Sequence, residues 1–216
     1  MKNMKIFIAV PCMDQVPARF AQSLAMLKKV GECAVGFQIG SLIYTSRNDL
    51  ASKAIELDAD FVLWLDSDMV FNPDLLEKMM DHFKDPEVDF VTGVYYRRVS
   101  PFTPVIFKKL DQTRPEIWDW SGYDDFPEKL PLFPVEGCGF GCVLMRTDVL
   151  MSVQGKFGNM FAPIGNVGED LAFCWRARQC GFKIFCDPAI PLGHVGHNIV
   201  NGEFFKAYKE SSKKDK

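Results

Sequence analysis

An α/β chain with a mostly parallel central sheet and helices on both faces is the fold that the sequence predicts. Short apolar runs at residues 5–10, 34–39, 61–65 and 89–95 read as buried strands. Helical stretches alternate with them, and right-handed crossovers join such pairs into parallel strands. With 216 residues and 48% hydrophobic composition, the chain can bury one large core and has room for a single domain with an elaboration.

The elements follow in order. Residues 5–10 form a first strand, and Pro11-Cys12-Met13-Asp14 the loop that leaves it. Pro17 suits the first turn of a helix over 18–28, with Phe20, Leu24 and Leu27 on one face. After the strand at 34–39, Ser46 or Asn48 is placed to cap a helix running to about Leu57. The strand at 61–65 ends in an acidic turn, and Asn72-Pro73 opens a helix carried by Leu75, Leu76, Met79 and Met80. Beyond Tyr96, six prolines between 101 and 134 leave room only for short strands and loops, of which 105–110 and 116–120 are the best candidates. Residues 135–146 read as strand, with Gly137, Gly139 and Gly141 on one face admitting a helix or a ligand. Thr147-Asp148 caps a short turn, 155–163 is a loop, and 169–180 is a helix. Residues 183–186 and 192–195 are two late strands, and 204–209 form a final helix.

Composition narrows the function classes. Twenty-five Lys and Arg against 28 Asp and Glu give a formal charge of -3, which disfavours nucleic acid as the main partner. Seven cysteines stand without paired metal-ligand spacing, and an odd number fits a disulfide framework poorly, so most read as small buried hydrophobes. No leader segment or membrane-length apolar run is apparent, so a cytoplasmic protein is expected, with peripheral membrane contact through the Lys-rich end as a minor reading.

The chemistry gathers at acids. Asp66 and Asp68 end an inner strand, where ligands collect in α/β folds, and a divalent ion there could bridge two phosphates. An acidic turn can also simply end a strand. Glu169-Asp170 opens a helix after Gly165-Asn166-Val167-Gly168; a helix N-terminus favours one carboxylate, and two ask for more than a cap. His82 reads as a surface side chain on its helix. His194 and His197 follow a late strand, and one or both can turn toward a metal.

Val10-Pro11, Thr45-Ser46-Arg47-Asn48-Asp49, Trp64-Leu65-Asp66-Ser67-Asp68, Gly93-Val94-Tyr95-Tyr96-Arg97-Arg98, Gly168-Glu169-Asp170 and Gly193-His194 come in the order of a known family. Together they resemble the nucleotide-sugar glycosyltransferases with the Rossmann-like A-type fold, in particular glycosyltransferase family two. The resemblance covers most of the chain. It implies one domain over 1–216, with a nucleotide-binding half at 1–98, an acceptor-side half at 99–202, and a C-terminal helix with a flexible basic tail at 203–216.

It also implies roles. Val10, Pro11 and Asp14 would border the base, and Arg47 would lie near the base or diphosphate, with Asn48 capping the next helix. Asp68 would hold Mn²⁺ or Mg²⁺, Asp66 would reach the ribose or the metal through water, and His194 would complete the metal shell, with His197 as its alternative. Asp170 would be the general base of an inverting transfer and Glu169 would orient acceptor or sugar; in a retaining branch Asp170 would not be the base. The donor expected is a nucleotide-sugar, a UDP-sugar before GDP-mannose. The acceptor would be a glycan, a lipid or another hydroxyl, with Trp118, Trp120 and Tyr123 as flat surfaces for it. With no membrane helices and no second module, single-residue transfer is expected rather than processive synthesis.

Two other classes share parts of this pattern. A sugar-phosphate nucleotidyltransferase would carry a glycine-rich basic segment after the first strand, and Pro11-Cys12-Met13-Asp14-Gln15 has no glycine. An inactive nucleotide-sugar-binding protein would have no need to keep both acidic pairs, Arg47 and His194.

Overall fold

The computed structural model describes residues 4–114, 117–196 and 199–214. Its core is a sheet in which β1 (Lys5–Cys12), β2 (Glu32–Ile39), β3 (Phe61–Leu65), β5 (Phe90–Val94) and β11 (Ile184–Val195) run one way. The order is β12-β11-β5-β10-β3-β1-β2, with β12 at Ile199–Val200 and β10 at Cys142–Arg146. The short strands β4 (Met69–Phe71) and β8 (Phe133–Val135) pair with β11 off this path. A second sheet holds β6 (Ile106–Arg114), β7 (Ile117–Gly122) and β9 (Gly137–Cys138).

Alternation along the inner strands divides the core in two. Phe7, Ala9, Val62, Trp64, Val143 and Met145 join one cluster with residues of α2 (Ile43–Glu56), α4 (Thr147–Phe157) and α5 (Glu169–Gln179). Ile6, Ile8, Val10, Leu63, Leu65 and Leu144 join the other with residues of α1 (Ala18–Met26) and α3 (Leu75–His82). Helices therefore cover both faces, as the period-two pattern requires. All seven cysteines are free, and five are buried.

Several expectations need correction. β10 sits between β3 and β5 and runs antiparallel to both, because the chain returns to the sheet from the β6–β9 excursion instead of through a crossover helix. The expected strand at 135–146 is broken into β8, β9 and β10. Thr147-Asp148 opens not a short turn but the eleven-residue α4, whose Val149, Leu150 and Val153 are buried. The two late strands are one, β11, with a register shift between Asp187 and Pro191. Ser46 and Asn48 lie inside α2, which starts at Ile43; Asn48 Nδ2 donates to the Tyr44 carbonyl at 2.8 Å, and its Oδ1 accepts from the Phe161 N–H at 3.1 Å. Instead of capping, Asn48 ties α2 to a loop. Most of the predicted basic tail belongs to α6 (Gly202–Lys214). His82 is half-buried, its Nε2 2.7 Å from Asp187 Oδ2. His197 lies outside the described residues.

The glycines of the 137–141 stretch admit protein rather than a ligand. A Cβ on Gly139 would stand 1.9 Å from the Tyr95 hydroxyl and one on Gly141 2.7 Å from Tyr95 Cζ, while Gly137 makes room for Leu171 and Leu110. The Gly141 N–H donates to the Tyr95 hydroxyl at 3.3 Å.

Candidate active site

The acidic turn is built by the strands around it. Asp66 N–H donates to the Gly141 carbonyl at 3.1 Å and Met69 N–H to the Asp66 carbonyl at 3.1 Å, so the turn leaves β3 and re-enters the sheet as β4 within three residues. β4 pairs antiparallel with β11 in a register that sets Met69 opposite His194, and Val195 N–H donates to the Asp68 carbonyl at 2.8 Å. That pairing brings His194 Nε2 to 3.4 Å from Asp68 Oδ2. The carbonyl of Tyr96 can only accept, so His194 Nδ1, 2.8 Å away, carries the hydrogen. Nε2 and Asp68 then face each other across a gap that suits a second imidazole proton or a cation. Burial works against the Asp68 carboxylate, but the hydrogen bond and charge of His194 and the charge of Arg98 outweigh it and hold its pKa below the ordinary value.

Arg47 joins this turn to the second acidic pair. Its Nη2 lies 2.9 Å from Asp66 Oδ1 and its Nε 3.4 Å from Glu169 Oε1, and its guanidinium carbon stands 5.2 Å from the centre of the Phe140 ring. Burial opposes its charge, yet Asp66, Glu169 and Asp170 prevail and raise its pKa. Arg47 is 2% exposed and does not line the cavity beside the turn. Expected near the base or diphosphate, it lies underneath, because α2 begins early and turns this side chain into the core.

Gly168 precedes α5 as its cap residue, and no side chain caps the helix. Asp170 Oδ1 accepts from the N–H of Leu171 at 2.7 Å, and its pKa is pushed up to about 6, by burial first and then by Glu169. Burial also raises the pKa of Asp66, with Arg47 opposing. The structure thus gathers Asp66, Arg47, Glu169 and Asp170 on one side, and Asp68 with His194 on the other.

A cavity of about 360 Å³ opens beside the turn, lined among others by Pro11, Met13, Ile43, Asp66, Asp68 and His194. Asp14 is exposed and does not line the cavity, since the chain turns outward after Met13. Arg98 lines it too, with Nη1 2.8 Å from Asp68 Oδ2. The sequence contained a signal for Arg98, a basic pair just past the C-terminal end of an inner strand. Asp66 is held by Arg47, and among the described residues no group of three or more His, Cys, Asp or Glu is gathered as a metal site.

The aromatic candidates separate. Trp118 is 8% exposed and packs edge-on against Trp175 with ring centres 5.4 Å apart, so it is core and cannot stack on a sugar. Tyr123 is half-buried against Phe133. Trp120 is 44% exposed and meets Phe107 edge-on with ring centres 5.7 Å apart.

The model of the family described as Glycosyl transferase family 2 matches residues 44–153. Two curated relatives, the pre-mycofactocin glycosyltransferases of Mycobacterium tuberculosis strains CDC 1551 / Oshkosh and ATCC 25618 / H37Rv, are each 27% identical over 138 residues. The alignment takes in 62% of this chain and 27% of each relative, so the chain spans about a quarter of the length of the curated relatives it matches. Among solved structures, A197 from STIV superposes with a TM-score of 0.64 at 16% identity, over 92% of this chain and 93% of that one. GalNAc-T7 with UDP, GalNAc and Mn²⁺ superposes with a TM-score of 0.61 at 10% identity, over 90% of this chain and 44% of that one. These likenesses show the A-type glycosyltransferase fold. Among the described residues, no helix is long and apolar enough to cross a membrane.

Proposed function

The chain belongs to glycosyl transferase family 2, and from that premise we propose that it moves a sugar from a nucleotide-diphosphate donor, a UDP-sugar first, to a hydroxyl acceptor with inversion at the anomeric carbon. One observation carries the reading. Arg47 bridges Asp66 and Glu169, residues far apart in sequence, and so fixes the acidic turn and the second acidic pair in one site.

The nucleotide belongs in the cavity beside Pro11, and the diphosphate at Asp68. Asp68 and His194 are the residues that would hold a divalent ion, Mn²⁺ or Mg²⁺, since a histidine whose other nitrogen donates to a carbonyl is the usual metal-binding form. When bound, the ion would neutralise charge on the departing diphosphate.

Asp170 is the base. Its Oδ1 is engaged by Leu171, which leaves Oδ2 for the acceptor proton. A pKa of about 6 keeps the carboxylate ionised at neutral pH and still basic enough to help. As the acceptor oxygen bonds to the anomeric carbon, the bond from that carbon to the diphosphate oxygen breaks, the diphosphate leaves with the electron pair, and Asp170 Oδ2 takes the proton. Glu169 and Asp66 are positioning residues through Arg47. Trp120 is the remaining exposed ring among the acceptor candidates and offers a stacking face to a glycan or similar acceptor.

The test is a panel of UDP- and GDP-sugars incubated with the protein, with free nucleoside diphosphate as the readout. Release from one donor that stops on chelation supports the proposal. No release from any donor, together with no nucleotide binding by calorimetry, refutes it in favour of a catalytically inactive member.

A further inference from the structure

Arg98 occupies an unusual place in this site. Its guanidinium is the cation that Asp68 meets from the solvent side, at 2.8 Å, and its side chain is 50% exposed. Its backbone, in contrast, is fastened. Arg97 N–H donates to the Thr103 carbonyl at 3.0 Å and Phe102 N–H to the Val99 carbonyl at 2.9 Å. The Ser100 hydroxyl lies 2.9 Å from that of Tyr208, and the Phe102 ring packs edge-on against Phe204 and Tyr208 at 5.0 Å. Helix α6 therefore holds the segment that carries Arg98 at the cavity rim, and the side chain moves on a fixed base.

Resting on the proposed function, we propose that Arg98 binds the donor's diphosphate and reaches it by leaving Asp68, so that one guanidinium holds the acid in the free protein and the leaving group in the complex. Three features of the site support this. Arg98 and Asp68 line the same cavity, so a diphosphate beside Asp68 is within a side-chain rotation of the guanidinium. A half-exposed ion pair is cheap to exchange, whereas the planar guanidinium matches phosphate oxygens two at a time. Charge also balances: a doubly negative diphosphate and Asp68 are matched by a divalent cation and one arginine. Arg47 cannot supply that charge, being buried and engaged with Asp66 and Glu169.

The proposal makes two affinities move in opposite directions. Mn²⁺ is titrated without nucleotide into wild type, Arg98→Gln and Arg98→Lys, with the paramagnetic signal of the free ion as readout; UDP and GDP are then titrated by calorimetry at saturating Mn²⁺. Arg98→Gln is expected to bind Mn²⁺ about 2- to 5-fold more tightly, because Asp68 is released. It is expected to bind the preferred nucleoside diphosphate roughly 10- to 100-fold more weakly, with Arg98→Lys between it and wild type. A variant that binds Mn²⁺ no more tightly than wild type, or binds the diphosphate as wild type does, overturns the exchange. Wild type that binds neither UDP nor GDP overturns the proposed function itself, and the role of Arg98 with it.

Discussion

Replacing Arg47 by methionine is the most informative single perturbation of this site. Methionine keeps an apolar stem against Phe140 and Trp64, whose ring centres lie 5.2 and 6.0 Å from the guanidinium carbon, while deleting the charge between two acids. Removing one partner of a buried pair costs about 3–5 kcal/mol, because the other is left charged and unpaired. Here the orphaned side chains are 28% and 17% exposed, at Asp66 and Glu169, so water meets part of the loss and the lower end, about 3 kcal/mol, applies. For a domain of this size that is a fall of about 6–12 °C in Tm. The assay is thermal and denaturant unfolding of R47M beside the triple variant R47M/D66N/E169Q, which recovers most of the loss because neither carboxylate that bonds Arg47 is left charged. The sign with pH is also fixed. Burial already raises the Asp66 pKa and Arg47 opposes it, so losing Arg47 raises it further. The folded state then binds a proton more readily than the unfolded one, and the deficit of R47M shrinks as pH falls. A variant within 1 kcal/mol of wild type, with no gain from neutralising the acids, would refute the buried-bridge argument.

Further outcomes follow from the same geometry. With the Asp170 pKa raised to about 6, its base form is lost below that value, so kcat/KM of the wild type rises with pH through about 6, and Asp170→Asn loses roughly 10²- to 10⁴-fold with no such rise; steady-state profiles check both. Gly139→Ala pushes a methyl group into the Tyr95 hydroxyl and costs about 1–3 kcal/mol in urea unfolding; in that background Tyr95→Phe recovers part of the loss. His194→Ala removes the nitrogen facing Asp68 and weakens Mn²⁺ binding by about 10-fold or more, measured by direct titration of the ion.

How far the sequence reached depended on how local each cause was. Phe61–Leu65 and its acidic turn were legible, since five buried residues ending in two acids is a complete local statement. Helix α5 was legible for the same reason, with Glu169 and Asp170 at its start. The direction of β10 was not, because it depends on where the chain re-enters the sheet after β9. Helix α4 was hidden by its β-branched residues and by Gly155, and burial of Val149, Leu150 and Val153 stabilises it despite them. Gly139 and Gly141 were legible as sites of close approach, but the sequence could not name Tyr95 as the group that approaches. At the site, residue types were legible and partnerships were not. That Arg47 would lie beneath the acids, and Arg98 upon Asp68, is decided by the early start of α2 and by the anchoring of α6.

The most direct test of sugar transfer with Asp170 as base is to follow donor turnover by NMR in ¹⁸O-labelled water, with the preferred UDP-sugar and no added acceptor. The proposed reaction puts the label on the anomeric carbon, forms the sugar of opposite anomeric configuration first, and falls away in Asp170→Asn. Label on phosphate, or a first-formed sugar of retained configuration, would contradict it.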